Sequence, residues 1–87
     1  MGQRSYPPLK HREVVAIVIA LGFALDREGS THAQYERVAS SIRPRTLCTV
    51  DNYDDFEQKM IKRIISQIGC SREEFYGATP QTAKKIR

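Results

Sequence analysis

The 87-residue chain has no apolar run long enough to cross a bilayer. The longest, Val14–Leu21, falls far short of the roughly 20 apolar residues that a spanning helix needs. The segment ahead of it lacks the small-residue cleavage signature of a secretory signal, so a cytosolic location is expected. Cysteine is scarce: Cys48 and Cys70 stand in no metal-ligand spacing, one in a strand-like stretch and one beside a helix end. Free, buried thiols in a reducing compartment are therefore expected, with no disulfide framework. There is no phosphate-cradling glycine loop, no carboxylate cluster, no internal repeat and no low-complexity segment. No metal or other cofactor is expected.

What is present fits one small domain, since 87 residues leave no room for a second core. Lys and Arg number 14 against 10 Asp and Glu, a formal charge of +4. That excess favours a polyanion or an acidic protein partner through long-range attraction, although a modest basic balance also occurs in proteins that bind no nucleic acid.

Along the chain, Met1–Pro8 ends in Tyr6-Pro7-Pro8 and reads as an extended arm. The block from Lys10 to Leu21 is ambiguous, because its β-branched residues also suit a strand buried on both faces. Its length of about three turns and the stop at Gly22 favour a helix. Phe23–Arg27 alternates, with Phe23 and Leu25 expected on one face, and Glu28-Gly29-Ser30 turns the chain into a second strand, Thr31 to about Arg37. Ala39-Ser40-Ser41 and Pro44 mark a longer connection to a third strand, Thr46–Val50. Asp51–Asp55 reads as a turn whose acidic residues cap a second helix, with an apolar stripe of Phe56, Met60, Ile61, Ile64, Ile65 and Ile68 and a stop at Gly69. Ser71-Arg72-Glu73-Glu74 is a capping box for a short third helix carrying Phe75 and Tyr76. Residues 77–87 read as a basic, loosely held tail, leaving a core of about residues 9–76. The expected architecture is a two-layer α+β domain, α-β-β-β-α with an extra C-terminal helix, its helices on one face of an antiparallel sheet.

The stretch Gly29–Glu36 carries the chemistry. Ala33 and Tyr35 share one parity and His32, Gln34 and Glu36 the other, which puts His32 on the polar face. An imidazole there can act as general base toward an RNA 2′-hydroxyl, with Arg27, Arg37 and Lys59 available for charge developing on a phosphate. A plain surface histidine is the alternative. Glu36 is a candidate to orient the ring or to form a cross-strand ion pair. His11 would assist only if the first helix begins beside the hairpin. Lys59, Lys62 and Arg63 lie about one helical turn apart, where they could contact successive phosphates or simply form a solvated face. The Tyr53 and Tyr76 rings could stack on bases, although their spacing does not argue for it.

Three stretches, taken in order, resemble one known family. Arg12-Glu13-Val14-Val15 leading to Leu21-Gly22-Phe23, then Gly29-Ser30-Thr31-His32-Ala33-Gln34-Tyr35, then Ile64 to Phe75 through Gly69-Cys70-Ser71-Arg72-Glu73-Glu74 are similar to the HicA-type (YcfA-like) mRNA interferase toxins. The resemblance spans about residues 12–76. It implies a double-stranded-RNA-binding-domain-like fold and a metal-independent endoribonuclease that cleaves mRNA to inhibit translation, with His32 in the place of the family's histidine. It also implies a HicB-type antitoxin partner, with DNA contacted only through the antitoxin. Beside His32, the residues expected to touch RNA are Arg27, Ser30, Thr31, Arg37, Lys59, Lys62 and Arg63. Two departures stand out: Thr31 is interposed before the histidine, and Thr49-Val50-Asp51-Asn52-Tyr53 replaces a stretch that often carries a proline and a second histidine. A non-catalytic RNA-binding module of the same fold and a protein-interaction domain are the other readings.

Overall fold

A computed structural model describes residues 6–37 and 46–86. Ten short elements follow one another: β1 Leu9–Lys10, α1 His11–Ala20, β2 Ala24–Glu28, β3 His32–Arg37, β4 Thr46–Asp51, β5 Asp55–Phe56, α2 Gln58–Ile68, α3 Arg72–Tyr76, α4 Pro80–Ala83 and a 3₁₀ turn, Lys84–Ile86. Strands β2, β3 and β4 form the expected antiparallel meander, in that order. Tyr35 and Ala33 of β3 and Cys48 and Val50 of β4 are buried under the helices, while His32, Gln34 and Glu36 turn to the other face. The result is a two-layer α+β domain of double-stranded-RNA-binding-domain-like plan.

The ambiguous apolar block is helical. Val14, Ile17 and Val18 are buried at helical spacing, whereas Ala16, Ile19 and Ala20 face solvent, a division that a strand could not make. The Glu13 carboxylate accepts the Lys10 backbone N–H at 2.8 Å, which satisfies one orphan donor at the helix start. At the other end Gly22 takes φ 98°, and the next residue, Phe23, donates its N–H back to the Val18 carbonyl at 3.0 Å. A side chain would resist that left-handed geometry.

Helix α2 buries Ile61, Ile64 and Ile68 along the predicted stripe and stops at Gly69, φ 83°. Its start differs from expectation. Phe56 belongs to β5, which pairs with β1 through Leu9↔Phe56 and Lys10↔Asp55. Asp55 therefore meets the Lys10 ammonium at 2.7 Å instead of capping α2, whose N-cap is Glu57. The α3 capping box is as read: Ser71 Oγ accepts from Glu74 N–H at 3.0 Å and Glu74 Oε1 accepts from Ser71 N–H at 2.8 Å.

Three further expectations are corrected. Leu25 does not join Phe23 in the core: Phe23 is buried, but Leu25 is 52% exposed. Leu25 pairs with the buried Tyr35 and so looks toward the helix layer, but β2 is an edge strand and the helices do not reach over it. The C-terminal segment is not a loose tail. Ile86 is buried in the core cluster, Thr82 Oγ1 donates to the Tyr76 carbonyl at 2.6 Å, and Lys85 reaches Glu13 at 2.8 Å. The end of the arm is also docked, since the Tyr6 ring lies edge-on to Tyr76 at 5.1 Å and Arg72 covers its face at 4.3 Å. The predicted connection through Ala39-Ser40-Ser41 and Pro44 lies outside the described residues.

Cys48 and Cys70 are free thiols. Burial, helped by the neighbouring Cys70, pushes the Cys48 thiol up to about 12, so it packs as a small hydrophobe. No helix among the described residues is long and apolar enough to cross a membrane.

Candidate active site on the open sheet face

The β2–β3 hairpin is closed by the Glu28↔Ala33 pair, with the Gly29 N–H donating to the His32 carbonyl at 2.9 Å. A Cβ on Gly29 would stand 3.0 Å from that same carbonyl oxygen, so the turn is tight at this point. Strand β2 then carries an irregularity: Leu25 opposes Tyr35, but Arg27 opposes Gln34. Asp26 is thus an extra residue, and every position after it is displaced by one. Simple alternation from Leu25 would aim Arg27 at the helix layer; the bulge turns it to the open face instead. Asp26 itself accepts from Gln34 Nε2 at 3.2 Å.

Arg27, Gly29, His32 and Gln34 consequently line one shallow cavity of about 120 Å³. His32 is exposed, and its Nδ1 lies 3.0 Å from Thr31 Oγ1. When Nδ1–H donates to that hydroxyl, the lone pair is left on Nε2, the tautomer a general base requires. The interposed Thr31 therefore has a physical use, as a partner for the ring. Directly across the sheet from His32 is Asp51, in Cα register.

The turn is braced from behind. Asn52 donates its backbone N–H to the Thr31 carbonyl at 2.8 Å and its side-chain amide to the Ser30 carbonyl at 3.1 Å. Ser30 and Thr31 are exposed at the turn beside the histidine.

Other candidates are placed elsewhere. Arg37 stands five residues along β3 from His32, roughly 17 Å at strand rise. Its guanidinium donates to the Leu21 carbonyl at 3.0 Å and covers the Phe23 ring at 4.7 Å, so it caps the end of α1. Glu36 is four residues from His32, too far to orient the ring, and Asp51 occupies the position that could. Lys59, Lys62 and Arg63 are exposed on the solvent side of α2, in the layer opposite the open face. Tyr35 is buried in the core, where desolvation raises its phenol pKa. Tyr76 cannot stack on a base: it is fully buried, its hydroxyl donating to the Pro7 carbonyl and accepting from Gln58 Nε2 at 2.9 Å. Sequence reasoning missed Asp26, Asp51 and Asn52. The first depends on a bulge and the other two on the β3–β4 register, and neither leaves a local signature in composition.

Fold and site together define a small double-stranded-RNA-binding-domain-like protein that presents a histidine and an arginine on an uncovered sheet face. The family described as HicA toxin of bacterial toxin-antitoxin matches residues 11–70, a stretch that contains α1, the sheet and α2. The chain belongs to the HicA toxin family, and membership implies a toxin–antitoxin partner. Comparison with curated proteins and with solved structures finds no match.

Proposed function

We propose that this toxin is an mRNA interferase, an endoribonuclease that cleaves mRNA without a metal ion and so inhibits translation. The observation that carries the reading is His32, exposed on the open face in one cavity with Arg27, within the stretch that matches the family. His32 Nε2 takes the proton of a ribose 2′-hydroxyl. The resulting oxygen attacks the adjacent phosphorus, the bond to the 5′-oxygen breaks, and a cyclic 2′,3′-phosphate is left on one product. Water, which reaches this uncovered face, protonates the departing 5′-oxygen. Arg27 carries charge complementary to the phosphorane, and Ser30 and Thr31 at the turn offer polar groups to the backbone. The Thr31 hydroxyl holds the imidazole at Nδ1, and Asp51 stands across the sheet from it. A HicB-type antitoxin fits as the partner that covers this face, with DNA contacted only through the antitoxin. An mRNA substrate places the protein in the cytoplasm.

The test is RNA cleavage in the presence of a chelator by the parent protein and by His32→Ala. General-base catalysis is typically worth 10²–10⁴-fold, so the variant should lose about that much while its melting temperature stays put. Cleavage by His32→Ala at the parent rate would show that the imidazole is not the base. Salt-sensitive RNA binding by the parent without any cleavage would identify a non-catalytic module.

A further inference from the structure

The loop after β4 carries a second feature of the hairpin end. Tyr53 is 59% exposed, above Ile19, Leu25 and Leu47, the other exposed large hydrophobic side chains. It lines a cleft of about 240 Å³ together with His11, Asn52 and Asp54. Two hydrogen bonds tie this cleft to the turn that carries His32, and a third closes the cleft itself. Asn52 N–H reaches the Thr31 carbonyl at 2.8 Å, Asn52 Nδ2 reaches the Ser30 carbonyl at 3.1 Å, and His11 N–H reaches the Asp54 carbonyl at 3.0 Å. Asn52 thus belongs to the cleft and is bonded to the turn that leads to His32. The His11 ring is backed by the buried Phe56 ring at 6.0 Å, which limits where it can turn.

The chemistry of the lining selects what can enter. The Asp54 carboxylate repels a phosphate but accepts N–H groups, which the edges of nucleobases provide. An exposed phenol ring offers a flat apolar face that any base can cover. In the adjoining cleft of about 400 Å³, lined by Lys10, His11, Arg12 and Asp54, the exposed Arg12 is the cation that can meet the phosphate attached to such a base, since Lys10 is paired with Asp55. We infer that the Tyr53 cleft is a nucleobase subsite for single-stranded RNA, holding a nucleotide that flanks the phosphate presented to His32. Tyr53 stacks on the base and Asp54 reads its edge. Guanine suits it best, because its adjacent ring N–H and amino group match the two oxygens of one carboxylate. The inference rests on the RNA-cleavage reading and adds to it the place where sequence preference arises.

The experiment uses the full-length His32→Ala protein, which should hold RNA uncut, and labelled single-stranded hexaribonucleotides of oligouridine with or without one guanosine. Anisotropy titrations give the affinities. Tyr53→Ala in this background should weaken binding about tenfold, within the range for one lost base–aromatic stack, while Tyr53→Phe stays within about twofold of the parent. Asp54→Asn should abolish the preference for the guanosine-containing strand. Equal affinities with and without the Tyr53 ring would overturn the subsite alone and leave the cleavage reading standing. Failure of the parent and of His32→Ala to bind or cut any of these strands would overturn both.

Discussion

Strand β3 divides the molecule into two regions built on different physics. On one side Ala33 and Tyr35 enter a core shared with Phe75, Tyr76, Ile61 and Ile17, and that side is closed by helices and by the C-terminal turn carrying Ile86. On the other side His32 stands in solvent beside the half-buried Gln34, held by a tight turn and by hydrogen bonds that involve Asn52, Thr31 and Asp26. Apolar burial supplies most of the free energy of folding, whereas exposed hydrogen bonds add little and mainly fix geometry. Stability and site geometry are therefore set by different residues, and it should be possible to damage each without the other.

The largest stability effect should come from the covered side. Phe75 is fully buried and, with Tyr76, anchors a helix of only five residues to the core. Phe75→Ala should cost about 3–5 kcal/mol in a denaturant titration, a large fraction of what a domain this size possesses. The RNA-cleaving rate of the molecules that remain folded should scarcely change. The converse experiment strikes the turn. Gly29→Ala brings a methyl to 3.0 Å from the His32 carbonyl, so the backbone of the proposed base has to yield by a few tenths of an ångström. A misplacement of 1 Å can cost a hundredfold in rate, so a loss of about tenfold in cleavage is expected. The melting temperature should fall by only a few degrees. If Gly29→Ala lost stability and activity in proportion, the two regions would not be separable.

Legibility divided along the same line. The stripe of α2, its stop at Gly69, the capping box of α3 and the parity of His32 could all be read because each is a local pattern that the fold merely keeps. Features that join distant segments were not readable. Lys10 and Asp55 pair across 45 positions in strands two residues long, too short for any alternation to show. Ile86 is one apolar residue in a polar tail, and its burial depends on a core assembled from segments distant in the chain. Arg37 looked like a phosphate ligand because a lone cation on a strand says nothing about the carbonyl it meets, that of Leu21. At the site, the bulge at Asp26 decides whether Arg27 faces His32, and a single extra residue leaves no mark in an alternating run.

A smaller effect tests how firmly the C-terminal segment belongs to the covered side. Glu13 accepts from the Lys10 N–H at 2.8 Å and meets the Lys85 ammonium at 2.8 Å, so one carboxylate ties the start of α1 to the last turn of the chain. Burial alone would raise the pKa of Glu13, but the bonds from Lys10 and Lys85 outweigh it and hold the carboxyl below its usual range. A group whose folded pKa is depressed adds stability that is present above its unfolded pKa and is lost as pH falls through the folded value. Glu13→Gln should therefore be less stable than the parent by about 0.5–1 kcal/mol at neutral pH, as expected for a half-covered ion pair. That gap should narrow as pH drops below about 4.3, the ordinary glutamate value, and close once the parent carboxyl is itself protonated. Parallel thermal melts across pH 2–7 would measure it. A gap that stayed constant down to low pH would mean that the charge of Glu13 contributes nothing and that Ile86 and Thr82 hold the segment by burial alone.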